Sequence, residues 1–152
     1  MHDSGKKKPH TVKNVLVADI VACIRCLSAT WEGKCHDKRV ADGETYHFPP
    51  GSTLGQDLGF QGFGPEGIII LQPKKQPRGG ELTVEEKEEN RRINSIRVLI
   101  EHVMSSVKRY RIVKDKFRQW REGIHDMVME TCCGLHNFRL RYRPWRKLSI
   151  ES

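Results

Sequence analysis

The sequence predicts a single α/β domain, on three observations. Short β-branched bursts of strand length recur in the first half, from Thr11 to Val17 and again from Ile68 to Gln72. A capped stretch with helical periodicity opens at Thr83. The 152 residues give enough chain for one core and rarely for two. Two strands, a short helix, two more strands and two long helices is the expected order.

Thr11 to Val17 reads as the first strand, Asp19 falls near a turn, and Val21 to Ser28 completes a hairpin. Gly33 punctuates the next turn, and His36 to Gly43 predicts a short helix opening near Asp37. Pro49-Pro50-Gly51 excludes regular structure. Ser52 to Leu58 reads as a short strand ending at Asp57. Gly59, Gly62, Gly64 and Gly67 then predict a sharply turning backbone. Ile68 to Gln72 is a buried strand by length and type, and Pro73 to Gly80 a basic loop.

Thr83-Val84-Glu85-Glu86 has the pattern of a capping box, with acidic residues suited to the positive helix start. Ile93, Ile96, Ile100, Val103 and Val107 fall in one stripe roughly 80° wide, which predicts a helix from Val84 to about Lys108. A final helix is expected from Arg118 to Arg139, with apolar marks at Ile124, Met127, Val128, Leu135 and Phe138. Gly134 inside it costs about 1 kcal/mol against Ala, which close packing would explain. A basic tail, residues 139–152, closes the chain around Tyr142 and Trp145.

Charge narrows the partners. Twenty-seven Lys and Arg against 19 Asp and Glu give a net charge of +8, which favours an anionic partner, most simply nucleic acid. Mean hydropathy is −0.61, a soluble composition. The longest apolar run, Ile68 to Leu71, is far too short to span a bilayer. Five cysteines are an odd number, so a complete internal disulfide framework is excluded and a reducing cytosol is expected. Cys23-Ile24-Arg25-Cys26 sits in strand-like sequence, where residues three apart point to opposite faces, so no zinc is expected.

Two constellations carry chemistry. Asn94, Arg97, Glu101 and Lys108 cluster within about 60° of the long helix. That places Glu101 at the edge of the core stripe, where a carboxylate can face a cleft; a solvated Arg–Glu pair is the plainer reading. Asp57-Leu58-Gly59-Phe60-Gln61-Gly62 puts an acid at a strand end before a tight turn. Together, in a basic chain, the two suggest carboxylates holding hard divalent cations near phosphate.

Ordered motifs then add a resemblance. They are Ser4-Gly5-Lys6-Lys7-Lys8-x-His10-Thr11, Ser28-x-Thr30-x-x-Gly33-x-x-His36-Asp37, Asp57-Leu58-Gly59-Phe60-Gln61-Gly62, Arg97-x-x-x-Glu101-His102 and Gly134-Leu135-His136-Asn137. From about Ser4 to Trp145 the chain resembles DDE transposases, specifically bacterial insertion-sequence transposases related to the Harbinger elements. The resemblance implies an RNase H-like mixed sheet with helices and three catalytic acids. The second maps to Asp57, with Asp37 the alternative, and the third to Glu101. Asn94, Arg97 and Lys108 resemble the Tyr–Arg–Glu–Lys signature, with Asn94 where tyrosine often stands.

The first acid and its central strand would lie upstream of the Ser4 to Lys8 motif, so the expectation is a domain lacking that strand and inactive alone. The resemblance further implies Mg²⁺ or Mn²⁺, no organic cofactor, and DNA partners, namely insertion-sequence ends and target. Lys6, Lys7, Lys8, Lys74, Lys75, Arg139, Arg141 and Arg143 are the candidates for the DNA backbone. An upstream transposase frame or a second copy is a further candidate partner. No membrane association is expected, and the location implied is the bacterial cytoplasm at the nucleoid. The alternatives are a non-catalytic fragment that binds DNA or a transposase, and a decayed reading frame.

Overall fold

A computed structural model describes residues 11–114 and 123–145. In chain order these form β1 (Val12–Lys13), β2 (Leu16–Ala18), β3 (Ile24–Leu27), β4 (Trp31–Glu32), α1 (Asp37–Asp42), β5 (Thr53–Gly55), β6 (Ile69–Leu71), α2 (Val84–Lys108), α3 (Arg111–Lys114) and α4 (Ile124–Tyr142). The α/β class and the two long helices are as expected. No helix among the described residues is long and apolar enough to cross a membrane.

The expected hairpin is present, but its first strand is broken. β2 pairs antiparallel with β3, and β1 with β4, so both pairs belong to one ribbon. The break falls at Asn14, whose amide donates to the Ser28 carbonyl at 3.2 Å and to Thr30 Oγ1 at 3.0 Å. Val15 N–H donates to Ser28 Oγ at 2.8 Å. Side chains here replace ladder bonds, as Asn and Ser readily do. Asp19 closes the turn by accepting from Val21 N–H at 3.1 Å and Cys23 N–H at 2.9 Å. Ala22 takes a left-handed φ of 65°, unfavourable for a residue with a Cβ.

That turn is fastened from outside by α4. His136, 2% exposed, bonds the Ala22 carbonyl through Nε2 at 2.8 Å and Ser106 Oγ through Nδ1 at 2.9 Å. A carbonyl only accepts, so Nε2 carries the proton and Nδ1 accepts from the hydroxyl. Asn137 accepts from Ile24 N–H and donates to the Ile24 carbonyl, both at 2.9 Å. One amide thus replaces a neighbouring strand at the exact point where the hairpin edge is buried. Around it lies the main core: Ala22 and Ile24 of the ribbon, Leu99, Val103 and Val107 of α2, and Cys132 and Cys133 of α4. Burial pushes the Cys133 thiol up to about 11, with Cys132 adding to the rise.

β5 and β6 form a separate parallel pair, with Thr53 opposite Ile69 and Gly55 opposite Leu71. α2 crosses β5 closely, and a Cβ at Gly55 would lie 3.3 Å from the Ile96 side chain. The Ile68 to Gln72 burst is not the fully buried strand its composition predicts. Ile69 is 57% exposed, and Ile70 and Leu71 are half-buried. A pair of parallel strands has too few neighbours to cover both faces. Among the described residues the strands make three two-stranded sheets rather than one mixed sheet.

α2 begins with the predicted capping box, Thr83 and Glu86 each accepting from the other's backbone N–H. Its buried residues are Ile93, Leu99, Val103, Ser106 and Val107. The core face therefore widens toward Leu99 and Ser106, while Ile96 and Ile100 are half-buried. The sequence pattern misses this because it does not count Leu99 or the buried Ser106 that bonds His136. α4 follows Gly123, which takes a φ of 76°, and it runs past Arg139 to Tyr142. Residues 118–122 of the expected helix lie outside the described residues.

Candidate active site

Asp57 stands just beyond β5, where the chain leaves the parallel pair. Its carboxylate caps a single 3-10 turn, Leu58–Phe60, by accepting from Leu58 N–H at 2.7 Å. Two glutamines missed by the sequence analysis hold this segment. Gln72, just past β6, donates to the Asp57 carbonyl at 3.0 Å. Gln56 donates to the carbonyls of Phe60 and Phe63 at 3.2 and 3.1 Å. Gly59 leaves room for Asp37, since a Cβ there would approach Asp37 Oδ2 to 2.7 Å and push that carboxylate aside.

α2 brings the partners. Arg97 Nε donates to Glu101 Oε1 at 3.3 Å, one turn along the helix. The same guanidinium reaches Asp57 Oδ1 from Nη1 at 4.0 Å. One cation thus faces two carboxylates from two elements. The Asp57 and Glu101 side chains are 52% and 60% exposed. Glu101 therefore stands in solvent rather than at the edge of the core, because the buried face of α2 turns toward Leu99. Water screens these contacts, and the exposed i,i+4 pair is worth about 0.3–0.5 kcal/mol. Asn94 and Lys108 are also exposed, on the Arg97 side of α2.

Asp37 opens α1 beside the Gly59 turn and is held by a lysine. Lys13 pairs with it at 2.8 Å and also donates to the Cys35 carbonyl at 2.8 Å. Among the described residues, no group of three or more His, Cys, Asp or Glu is placed to hold a metal ion. Two exposed carboxylates around one guanidinium do fit a hard cation that keeps water and phosphate among its ligands. They do not fit a closed four-ligand site. The depression among Tyr46, Phe48 and Pro65 is lined by neither carboxylate.

The basic candidates divide. Lys74 faces Glu86 at 3.5 Å and Glu89 at 3.7 Å, and Asn90 clips its backbone in both directions. Lys75, Arg141 and Arg143 are exposed, and Arg139 is half-buried. Arg139 and Arg141 belong to α4 rather than to a separate tail. Trp145 packs against His102, ring centroids 5.2 Å apart, which ties the segment after α4 to α2 beside Glu101. Lys6, Lys7 and Lys8 lie outside the described residues.

Comparison with known proteins gives the following. The family described as "DDE superfamily endonuclease" matches residues 4–137. A protein of Microchaete diplosiphon named "Probable transposase for insertion sequence element IS702" is 30% identical over 138 residues. The alignment covers 90% of this chain and 49% of that protein, so the chain spans about half the length of this curated relative. No solved structure matches.

Proposed function

This chain belongs to the DDE superfamily endonucleases, and from that premise we propose that it forms part of the catalytic domain of an insertion-sequence transposase. Its work in that reading is metal-dependent cleavage and transfer of DNA strands. The observation that carries this is the meeting of Asp57 and Glu101, from a strand end and a helix, around Arg97.

In this reading Asp57 and Glu101 are the second and third acids, and Mg²⁺ or Mn²⁺ bound there supplies activation of the attacking oxygen and stabilisation of the leaving one. The carboxylates give oxygen ligands and leave the remaining positions to phosphate and water. Arg97, freed from the carboxylates, neutralises a nonbridging phosphate oxygen. Lys108 and Asn94 lie along the same side of α2, where a DNA backbone would pass. Lys75, Arg139, Arg141 and Arg143 add charge for that backbone, and Lys6, Lys7 and Lys8 add more by sequence, so affinity falls steeply with salt. The likeness to an insertion-sequence transposase supports element ends and target DNA as the substrates, with the nucleoid as the location. Asp37 is the weaker second acid, since Lys13 already neutralises it.

The sheet belongs to the same proposal. The antiparallel pair β2–β3 and the parallel pair β5–β6 follow one another along the chain, as they would in an RNase H-like sheet. One strand between β2 and β5 would join them and carry the first acid. Two acids without the first should nick DNA weakly or not at all. The test is Mn²⁺ titration by electron paramagnetic resonance, with a short DNA duplex present. Asp57→Asn and Glu101→Gln should each weaken Mn²⁺ binding at least about tenfold, while Asp37→Asn leaves it unchanged. Equal binding by all four proteins would sink the assignment. Robust Mg²⁺-dependent nicking by the chain alone, lost in Glu101→Gln, would overturn the need for a third acid.

A further inference from the structure

α4 shows a second face that neither the core nor the carboxylate site uses. Met127, Leu135, Phe138 and Tyr142 are between 45% and 73% exposed, far more than a helical apolar stripe facing its own core. With Thr131 and Gly134 they fall within about 100° of the helix circumference. Thr131 gives its hydroxyl to the Met127 carbonyl at 2.7 Å, so its methyl is free to face outward. Gly134 was expected to serve close packing, yet nothing lies within 4 Å of the position its Cβ would take. Glycine is the least favourable residue after proline inside a helix, and no contact among the described residues accounts for it.

The pattern is self-complementary. Gly134 and Leu135 stand at the middle of the stripe. Reversed about that point, Met127 falls opposite Tyr142, Thr131 opposite Phe138 and Gly134 opposite Leu135. Each pair sets a larger side chain against a smaller or more adaptable one. A charged pair lies close to the same register, two residues (about 3 Å) off the reversal. Glu130 and Arg141 are both exposed, and they flank the same edge of the stripe, about 20° apart on the wheel. In an antiparallel two-fold pair each edge meets the same edge of the copy, so Glu130 of one chain meets Arg141 of the other, twice. Neither residue has an ion-pair partner among the described residues.

We propose that α4 docks on α4 of a second copy of this chain, antiparallel and crossing at Gly134. The contact stands apart from the carboxylate reading, because none of its residues lies at Asp57, Arg97 or Glu101.

The experiment is sedimentation velocity over a wide concentration range, with thermal melting alongside. The wild-type chain should pass from monomer to dimer as concentration rises. Gly134→Leu should weaken the dimer at least about tenfold while the melting temperature of the monomer holds or rises, since leucine favours the helix. Glu130→Arg or Arg141→Glu alone should weaken association several-fold, and the double reversal should restore it. A chain that stays monomeric throughout would overturn the proposal and leave the stripe to a different partner. So would a dimer indifferent to Gly134→Leu and to the charge reversals.

Discussion

The fastening at the hairpin turn and the carboxylate site differ in how they use polar groups. At the turn, His136 and Ser106 are buried and Asn137 half-buried, and each polar contact is a short bond to one fixed partner. At the site, Asp57, Arg97 and Glu101 are about half exposed, with one guanidinium shared at 3.3 and 4.0 Å. A buried bond is costly to lose, because the orphaned group finds no water. A solvated pair is cheap to break and easily traded for another ion. The molecule keeps its permanent polar contacts inside and its exchangeable ones outside.

The largest effect should come from the fastening. Asn137→Ala leaves the buried Ile24 N–H and carbonyl unpaired and should cost about 2–4 kcal/mol, read as a lower urea midpoint. Next comes His136→Ala, which strips the Ala22 carbonyl and Ser106 of their partner and opens a void, at about 2–3 kcal/mol. If either variant melted like wild type, the contrast would collapse.

Thr83→Ala removes an exposed cap and should cost about 1 kcal/mol. Here pH gives a second reading. The hydrogen bond from the Thr83 backbone holds the Glu86 carboxyl below its ordinary value of 4.5, helped by nearby Lys74. That stabilisation is present above the ordinary value and fades as pH falls through the lowered one. Glu86→Gln should therefore match wild type in strong acid, fall behind it as pH rises through the lowered value, and show the full gap above 4.5. The smallest effect belongs to the site: Arg97→Gln should shift stability by less than about 0.5 kcal/mol. A much larger loss would mean that the carboxylates depend on the guanidinium structurally.

Much of this was legible in the sequence where one local rule suffices. The capping box gave α2 its start, and the acid before Gly-x-x-Gly gave Asp57 its place at a strand end. The kinship with insertion-sequence DDE transposases was legible from ordered motifs. Legibility stopped where tertiary contacts decide. The break at Asn14 depends on Ser28 and Thr30, which meet it only once the ribbon folds. The rotation of the α2 core face depends on Ser106 being drawn inward by His136. Glu101 was misplaced for that reason: a wheel built from isoleucines and valines sets the centre of the core face roughly 40° too near it. The roles of His136 and Asn137 were invisible, although their motif was noticed, because a buried amide and a solvated one look alike in one dimension.

The Asn137 amide also sets a schedule. It joins positions 113 residues apart, and the bond from His136 to Ala22 spans 114. The hairpin can form early from neighbouring chain, but its edge is not closed until α4 has been made and has returned to it. Contacts so distant along the chain carry a large closure entropy and slow the final step of folding. During synthesis on the ribosome, the ribbon must therefore wait, half-secured, for nearly the whole of the described chain to emerge.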